Sequence, residues 1–415
     1  MTTNVFGATA QNQLWFDGVQ DNLDKRSTAV GISKVYTGKD RVLHNPYNST
    51  PVGSDGVASP TFSKNPFSST DNSLTVDRRA VVAEQVDNIE ELQTNYSLLS
   101  QRAERASYVI RDVVDQYMLN LPVSFSGVND LDAGSIVGGA STGVAYQATT
   151  TNVDEISNKI VEEVAFNDGA VDNGMFWVVD PSVRSKLTNF QQNNAFSLSD
   201  AAIRNGFVGE DFAGLRIYVS NNLTHNVSLG LATNPTDGDT ITFTVPGNGG
   251  GRKSVTVTFV ATLSGGAGEI HITSTADLTR ANLATFLNSY GATAVVEATD
   301  TGAAALSSAD QDALKRAQIV TVNDDTANTL AVTVKGSLKV AETLTAGGDV
   351  FGNVGIHTIA GVMNSMFLAL PRDGMKMRHY PVSLEHGDEM VTSQVYNGTI
   401  WENKKGELQD VFLYI

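Results

Sequence analysis

The 415-residue chain contains no cysteine. Disulfides, thiolate metal sites and cysteine nucleophiles are thereby excluded, and cohesion must come from burial and association. Positive charge is scarce: 28 Lys and Arg stand against 45 Asp and Glu, giving a net charge of −17 and a pI near 4.7. Nucleic-acid and anionic-membrane binders use clustered Lys and Arg, so this balance argues against both. Charged residues make up 18% of the chain, below the ~25% usual in soluble proteins. No apolar run reaches the roughly 18–20 residues of a membrane-spanning helix, so no membrane association is expected. The opening Met1-Thr2-Thr3-Asn4-Val5-Phe6-Gly7 lacks a basic stretch followed by an apolar one, so no secretory signal is expected. The 41% hydrophobic content suffices for packed cores, and the length predicts two or three domains.

The most informative stretch runs from Leu74 to Leu121. From Leu74 to Val86 the residues Leu74, Val76, Ala80, Val82 and Val86 share one parity, the signature of a half-buried ribbon. Beyond Asp87-Asn88 and a short acidic stretch, Leu99, Ala103, Ala106, Ile110, Val113 and Tyr117 fall on one helical stripe. Ser97 is the expected N-cap and Pro122 the expected stop. A rod from Ser97 to Asn120 would be roughly 36 Å long at about 1.5 Å per residue, and such a rod needs a surface to lie on.

Gln85-Val86-Asp87-Asn88, Glu90-Glu91-Leu92-Gln93 and the helix bearing Gln101-Arg102-Ala103, Tyr108, Ile110 and Val114-Asp115 resemble one junction in a known family. It is the passage from extended loop to spine helix in tailed-bacteriophage major capsid proteins of the Hong Kong 97 type. A second block of resemblance runs from Met175-Phe176-Trp177-Val178-Val179-Asp180-Pro181 through a helix to Leu215 and Ser220-Asn221-Asn222-Leu223. It is similar to the family's axial domain. A third, Pro371-Arg372-Asp373 with His379 and Val395-Tyr396-Asn397-Gly398, resembles the closing peripheral sheet.

The resemblance implies an α+β capsid fold with a β-rich inserted domain. Residues 1–34 would be an N-terminal arm, 35–80 the extended loop, and 81–165 the peripheral domain with its spine helix at 97–120. Residues 166–229 would begin the axial domain, 230–348 form the insertion, 349–370 return to the axial domain, and 371–415 supply the closing peripheral strands. The residues themselves support several of these cuts. Asn45-Pro46, Ser59-Pro60, Asn65-Pro66, Gly53 and Gly56 make 35–73 a dense turn region, and a structureless loop that long is usually functional or disordered. Asn152 is the expected cap of a helix whose apolar face is Val153, Ile156, Ile160, Val161 and Val164. A short helix is expected near Leu198–Ile203. From about Gly230 to Gly348, alternating Thr/Val strands and a capped helix at Asp277–Leu287 read as a module large enough to fold alone. The apolar end, Leu408 to Ile415, is expected to pair into a sheet.

Chemistry is sparse. Gly247 to Ser254 invites a phosphate-loop reading, but Arg252 stands where the pattern needs Gly, and β-runs flank it on both sides. A hairpin turn is expected there. The six histidines, His44, His225, His271, His357, His379 and His386, show no metal-ligand spacing. Asp237 with Asp239, and Asp324 with Asp325, are expected to be turn-forming acids. No catalytic, cofactor-binding or metal residue is expected.

Under the family reading the chain is a structural protein, not an enzyme. It would assemble into pentamers and hexamers of an icosahedral head enclosing double-stranded DNA by confinement, without sequence-specific binding. The expected assembly contacts are Trp15 and Phe16 on the arm, Arg41, Arg78 and Arg79 on the loop, and the acids Glu90, Glu91 and Asp112 that those arginines would meet on a neighbour. A separate scaffolding protein is expected because only about 34 residues precede the loop, and a portal is implied with it. Location would be the virion shell, after assembly in the host cytoplasm. A tail-tube, decoration or adhesin-like virion component is the rival reading. It accounts for the β-module but leaves the long helix idle.

Overall fold

The computed structural model describes residues 27–48, 69–87, 98–137, 143–167, 174–193, 211–247, 251–292, 304–324, 327–344, 350–371, 375–381 and 387–415. Along the chain come α1 (Thr28–Ile32), β1 (Lys34–Tyr36), β2 (Val42–Asn48), β3 (Ser69–Thr75), β4 (Arg78–Asp87) and the long α2 (Leu98–Ser124). Next are β5 (Asn129–Leu131), α3 (Ala133–Val137), β6 (Tyr146–Gln147), α4 (Val153–Phe166), β7 (Met175–Val179), α5 (Pro181–Asn193), β8 (Asp211–Phe212), β9 (Leu215–Val219) and β10 (Thr224–Gly230). Then follow β11 (Thr240–Pro246), β12 (Arg252–Val260), β13 (Glu269–His271), α6 (Ala276–Asn288), α7 (Ser308–Arg316), β14 (Val320–Asp324), β15 (Thr329–Lys335) and β16 (Lys339–Glu342). The chain closes with β17 (Val350–Phe351), β18 (Gly355–Val362), β19 (Met366–Ala369), β20 (Met375–Pro381), β21 (Gly387–Ile400) and β22 (Leu408–Tyr414). The class is α+β, as expected.

Two compact units result, one of Met1–Leu121, Phe125–Gly127 and Val362–Leu408, the other of Pro122–Ser124, Val128–Gly361 and Gln409–Ile415. In the first unit β21 is the organising strand. It pairs antiparallel with β4 from Gly387↔Asp87 to Tyr396↔Arg78, with β20 over Asp388 to Gln394, and with β19 over Asn397 to Ile400. β1 adds parallel to β19. The expected single ribbon from Leu74 to Val86 is two strands: β3 ends at Thr75, and β4 starts at Arg78. Its parity survives the break, since Leu74, Val76 and Ala80 are buried while Thr75, Asp77 and Val81 are exposed. β2 and β3 pair over seven residues each, Val42↔Thr75 to Asn48↔Ser69, as a sheet of their own.

Helix α2 runs past the expected stop and contains Pro122. The proline costs one backbone hydrogen bond and crowds the carbonyl four residues back, but only Val123 and Ser124 follow it in the helix. The buried stripe is Ala106, Ile110, Val114 and Met118, joined by Leu119. Val113 and Tyr117, expected on it, are only half-buried, so the contact face turns by one residue along the rod. Gly398 of β21 lets the helix come close, because a Cβ there would lie 2.1 Å from the Met118 sulfur.

In the second unit the main sheet runs β14-β15-β10-β18-β7-β9-β8, with β17 on β10 and β22 pairing with β18, β5 and β6. β7 is buried throughout, as its continuous apolar run predicts for a strand covered on both faces. Two stretches sit differently from the expected boundaries. β5, β6 and α4 fall in this unit rather than in a peripheral stretch at 81–165, and β22 falls here rather than with the strands closing at 371–415. Backbone pairing decides it: β5 and β6 both hydrogen-bond β22, and β22 hydrogen-bonds β18. On α4 the expected face is buried at Val153, Ile156, Ile160 and Val164. Asn152 sits at the cap position, but its side chain turns back to accept from the Thr149 amide, 2.8 Å away.

Residues 227–338 share one apolar cluster that includes Phe243, Phe259, Phe286 and Leu314. It lies between the four-stranded sheet β13-β12-β11-β16, helices α6 and α7, and the inner face of β15 and β10. The Gly247–Ser254 stretch is the expected hairpin, with Pro246 paired to Arg252 and Val245 to Lys253. Strand β14 ends the larger sheet among the described residues, and Asn288 bonds its outer edge. The Asn288 amide accepts from the Thr321 N–H at 2.8 Å and donates to the Thr321 carbonyl at 3.1 Å, as a neighbouring strand would.

Candidate assembly surface

Hairpin β2–β3 pairs with no other strand among the described residues. Its root rests on a small apolar cluster in which Leu74, Val76 and Ala369 are buried, with Leu43, Phe367, Val395 and Trp401 packed around them. Tyr36 stacks on Phe367, and Phe367 tilts against Trp401 with ring centres 5.4 Å apart. The Val76 N–H donates to the Arg41 carbonyl at 2.8 Å, which ties the two strands below the last ladder pair.

A polar set holds the joint between β3 and β4. The Asn397 amide donates to the Thr75 carbonyl at 2.7 Å and to the Asp77 carboxylate at 3.1 Å. Its oxygen accepts from the Tyr117 hydroxyl at 2.9 Å, so helix α2 is bonded through Asn397 to the joint. The Arg78 guanidinium lies 4.1 Å from the centre of the Tyr117 ring, and Tyr396 meets that ring edge-on at 5.7 Å. Cations over aromatic faces in half-exposed sites contribute on the order of 0.5–1 kcal/mol.

A second polar contact fixes the start of the described chain. Ser27 caps α1 by accepting from the Val30 N–H at 3.1 Å, and its hydroxyl donates to Asp115 at 2.5 Å. The same carboxylate accepts from the Ala29 N–H at 3.0 Å and the Thr28 N–H at 3.2 Å. Burial pushes the Asp115 carboxyl up to about 6, against the opposing pull of Ser27, the two amides and Arg111.

Of the residues expected to make contacts, Arg41 and Arg79 are exposed near the hairpin root, and Arg78 is turned onto Tyr117. Asp112 is half-buried on α2. Trp15, Phe16, Glu90 and Glu91 lie outside the described residues, as do the expected helix near 198–203 and His386. Sequence reasoning did not assign Tyr117, Asn397 or Asp115 a role. The only signals were Tyr117 on the helical stripe, Asp115 closing the helix block and Asn397 inside the Val395–Gly398 block. Apolar groups remain uncovered on this unit: Val42 is 45% exposed, Val81 53% and Tyr108 44%.

The second unit carries a cavity of about 520 Å³ lined by neutral residues, among them Val144, Asn226, Ser228, Phe412 and Tyr414. His357 stacks beside it on Phe412, with ring centres 4.2 Å apart. Both imidazole nitrogens are engaged, Nδ1 with Asp410 at 2.8 Å and Nε2 with Asn226 at 2.7 Å. Burial and the neighbouring Asp410 push the Asp130 carboxyl up. Asp180 caps α5 by accepting from the Ser182 N–H at 2.9 Å, and also meets His225 at 3.6 Å. Burial works against ionisation there, yet His225 and Ser182 hold the Asp180 carboxyl below the usual range. Among the described residues no group of three or more His, Cys, Asp or Glu could hold a metal ion, and no helix is long and apolar enough to cross a membrane.

No family model and no curated protein matches the chain. Among solved structures it is similar to a chain of "Mycobacterium phage Che8", at 11% identity and a TM-score of 0.46, covering 92% of this chain and 90% of that one. The "Capsid of Ralstonia phage GP4" gives 9% and 0.45, with coverage of 92% and 87%. A "virus-like particle from Pyrococcus furiosus" gives 8% and 0.43, with coverage of 96% and 97%. At such identities and scores, function is read from the chain's own geometry.

Proposed function

We propose that the chain is the major shell subunit of a tailed phage, and that its activity is association rather than catalysis. The observation that carries this is the hairpin β2–β3, which among the described residues pairs with no further strand and is rooted on a cluster of three buried residues. An isolated two-stranded hairpin is marginal in water, and this one leads out of a sheet that already has its own core. It gains a partner when it lies across a second copy. The long rod α2, with Tyr108 and Val109 outward, supplies apolar area for such a partner to cover. Interfaces of that obligate kind bury on the order of 2,000 Å² or more.

In this reading residues 1–34 reach a further neighbour, and 230–348 form a module inserted into the second unit. The continuous cluster over 227–338 supports the module. Full pairing of β15 with β10 ties it to the host sheet, so deleting 232–346 would strip β10 of one neighbour. The copies form pentamers and hexamers of a head assembled in the host cytoplasm, with a separate scaffolding protein and a portal. The net charge of −17 suits a wall that confines DNA without adsorbing it.

Electron microscopy of the purified full-length chain tests the reading. Closed shells or flat hexameric sheets are expected. Tubes would favour a tail component, and dispersed monomers at high concentration would overturn the proposal.

A further inference from the structure

Between Thr75, the last residue of β3, and Arg78, the first of β4, lie only Val76 and Asp77. The four soft backbone dihedrals of those two residues, together with the approach of the chain to β2 through residues 37–41, set where the hairpin points. A seven-residue ribbon is roughly 23 Å long, so a turn of about 10° at its root moves the far end by about 4 Å. Dispersion contacts are lost at far smaller gaps.

Three side chains from three elements converge on the joint. Asn397 of β21 grips both sides of it, at the Thr75 carbonyl and the Asp77 carboxylate. Tyr117 of α2 holds Asn397 through its hydroxyl. Arg78 of β4 closes the set by lying on the Tyr117 ring. We propose that Arg78, Tyr117 and Asn397 form a lock that fixes the angle at which hairpin β2–β3 leaves the sheet, and so selects one shell curvature over other assembly products. This rests on the shell reading and assigns Arg78 to its own subunit's joint rather than to an acid on a neighbour. The three are positioning residues: they act on the partner surface through the hairpin.

The test uses full-length Asn397→Ala, Arg78→Ala, Arg78→Lys and Tyr117→Phe, each followed by thermal unfolding, hydrogen exchange over 69–77, and electron microscopy of the assembled product. Asn397→Ala and Arg78→Ala are expected to unfold within a few degrees of the parent. Exchange at 69–77 should rise at least tenfold, and shells of one diameter should give way to mixed diameters and open sheets. Arg78→Lys keeps the cation and should restore much of the parent behaviour. Tyr117→Phe loses one hydroxyl, should fold in any case, and should fall between. Unchanged exchange with parent-sized shells across the set overturns the lock. So does loss of all assembly in Arg78→Ala with unchanged exchange, which would put Arg78 at a subunit contact. If the parent itself forms no shells, the shell reading fails, and the exchange data alone decide whether the joint is locked.

Discussion

The β-module of residues 227–338 and the hairpin root solve the same problem in opposite ways. The module encloses Phe243, Phe259 and Phe286 between two sheets and two helices, and even its open edge at β14 is closed by Asn288. The root has three buried residues and a set of polar bonds, and the ribbon above it pairs with no further strand among the described residues. One region carries a large apolar core of its own. The other has a small apolar cluster and is held by polar bonds at its joint.

That contrast can be broken by mutation. Phe243→Ala should cost about 3–5 kcal/mol in denaturant unfolding, the range for emptying an aromatic site in a closed core. Val76→Ala at the root should cost only about 1–2 kcal/mol by loss of buried area, yet disrupt shells seen by electron microscopy. Equal losses of stability at the two sites would erase the distinction.

Asp115 sharpens the picture for the first unit. Burial raises its carboxyl from the ordinary 3.8 to about 6 in the folded chain, so the folded state holds the proton more tightly. Stability from this group is complete below the unfolded value and is lost as pH rises through the folded one. Between pH 4 and 7 the parent should therefore lose up to about 3 kcal/mol relative to Asp115→Asn. Groups such as Asp180, whose carboxyl is held low, act in the opposite direction but equally in both proteins. Unfolding at several pH values checks the sign, and a constant gap between the two would refute the burial argument.

Gly398→Ala should come next, at about 1–3 kcal/mol for overpacking, because the new Cβ meets Met118 and the Phe367 carbonyl. Asn288→Ala should be mildest, at about 1 kcal/mol for the lost bonds. Its clearer sign would be concentration-dependent association in sedimentation, since an uncapped edge strand invites pairing.

Much of the layout was legible because it is written in local periodicity. The parity of Leu74, Val76 and Ala80, the apolar run Met175–Val179 and the face of α4 each report burial within a few residues of themselves. The lock and the Asp115 contact were not legible. Asn397 reaches Thr75 across 322 residues and Asp115 reaches Ala29 across 86, and a polar side chain carries no mark of the backbone it will find. The placement of β22 was missed for a related reason: its apolar content says that it is buried, and only the stretch of β18 beyond its short pairing with β10 says where. Pro122 misled because its cost depends on how much helix follows it, which here is two residues.

Strand β21 is shared by β4, β20 and β19, so it works as a ruler for the whole unit. Adding or removing one residue between Gln394 and Asn397 would turn every later side chain to the opposite face. Asn397 would then point away from the joint, and Gly398 would no longer sit under Met118. Insertions for display or labelling are therefore least tolerable in those four positions, although they lie far along the chain from the ribbon they control.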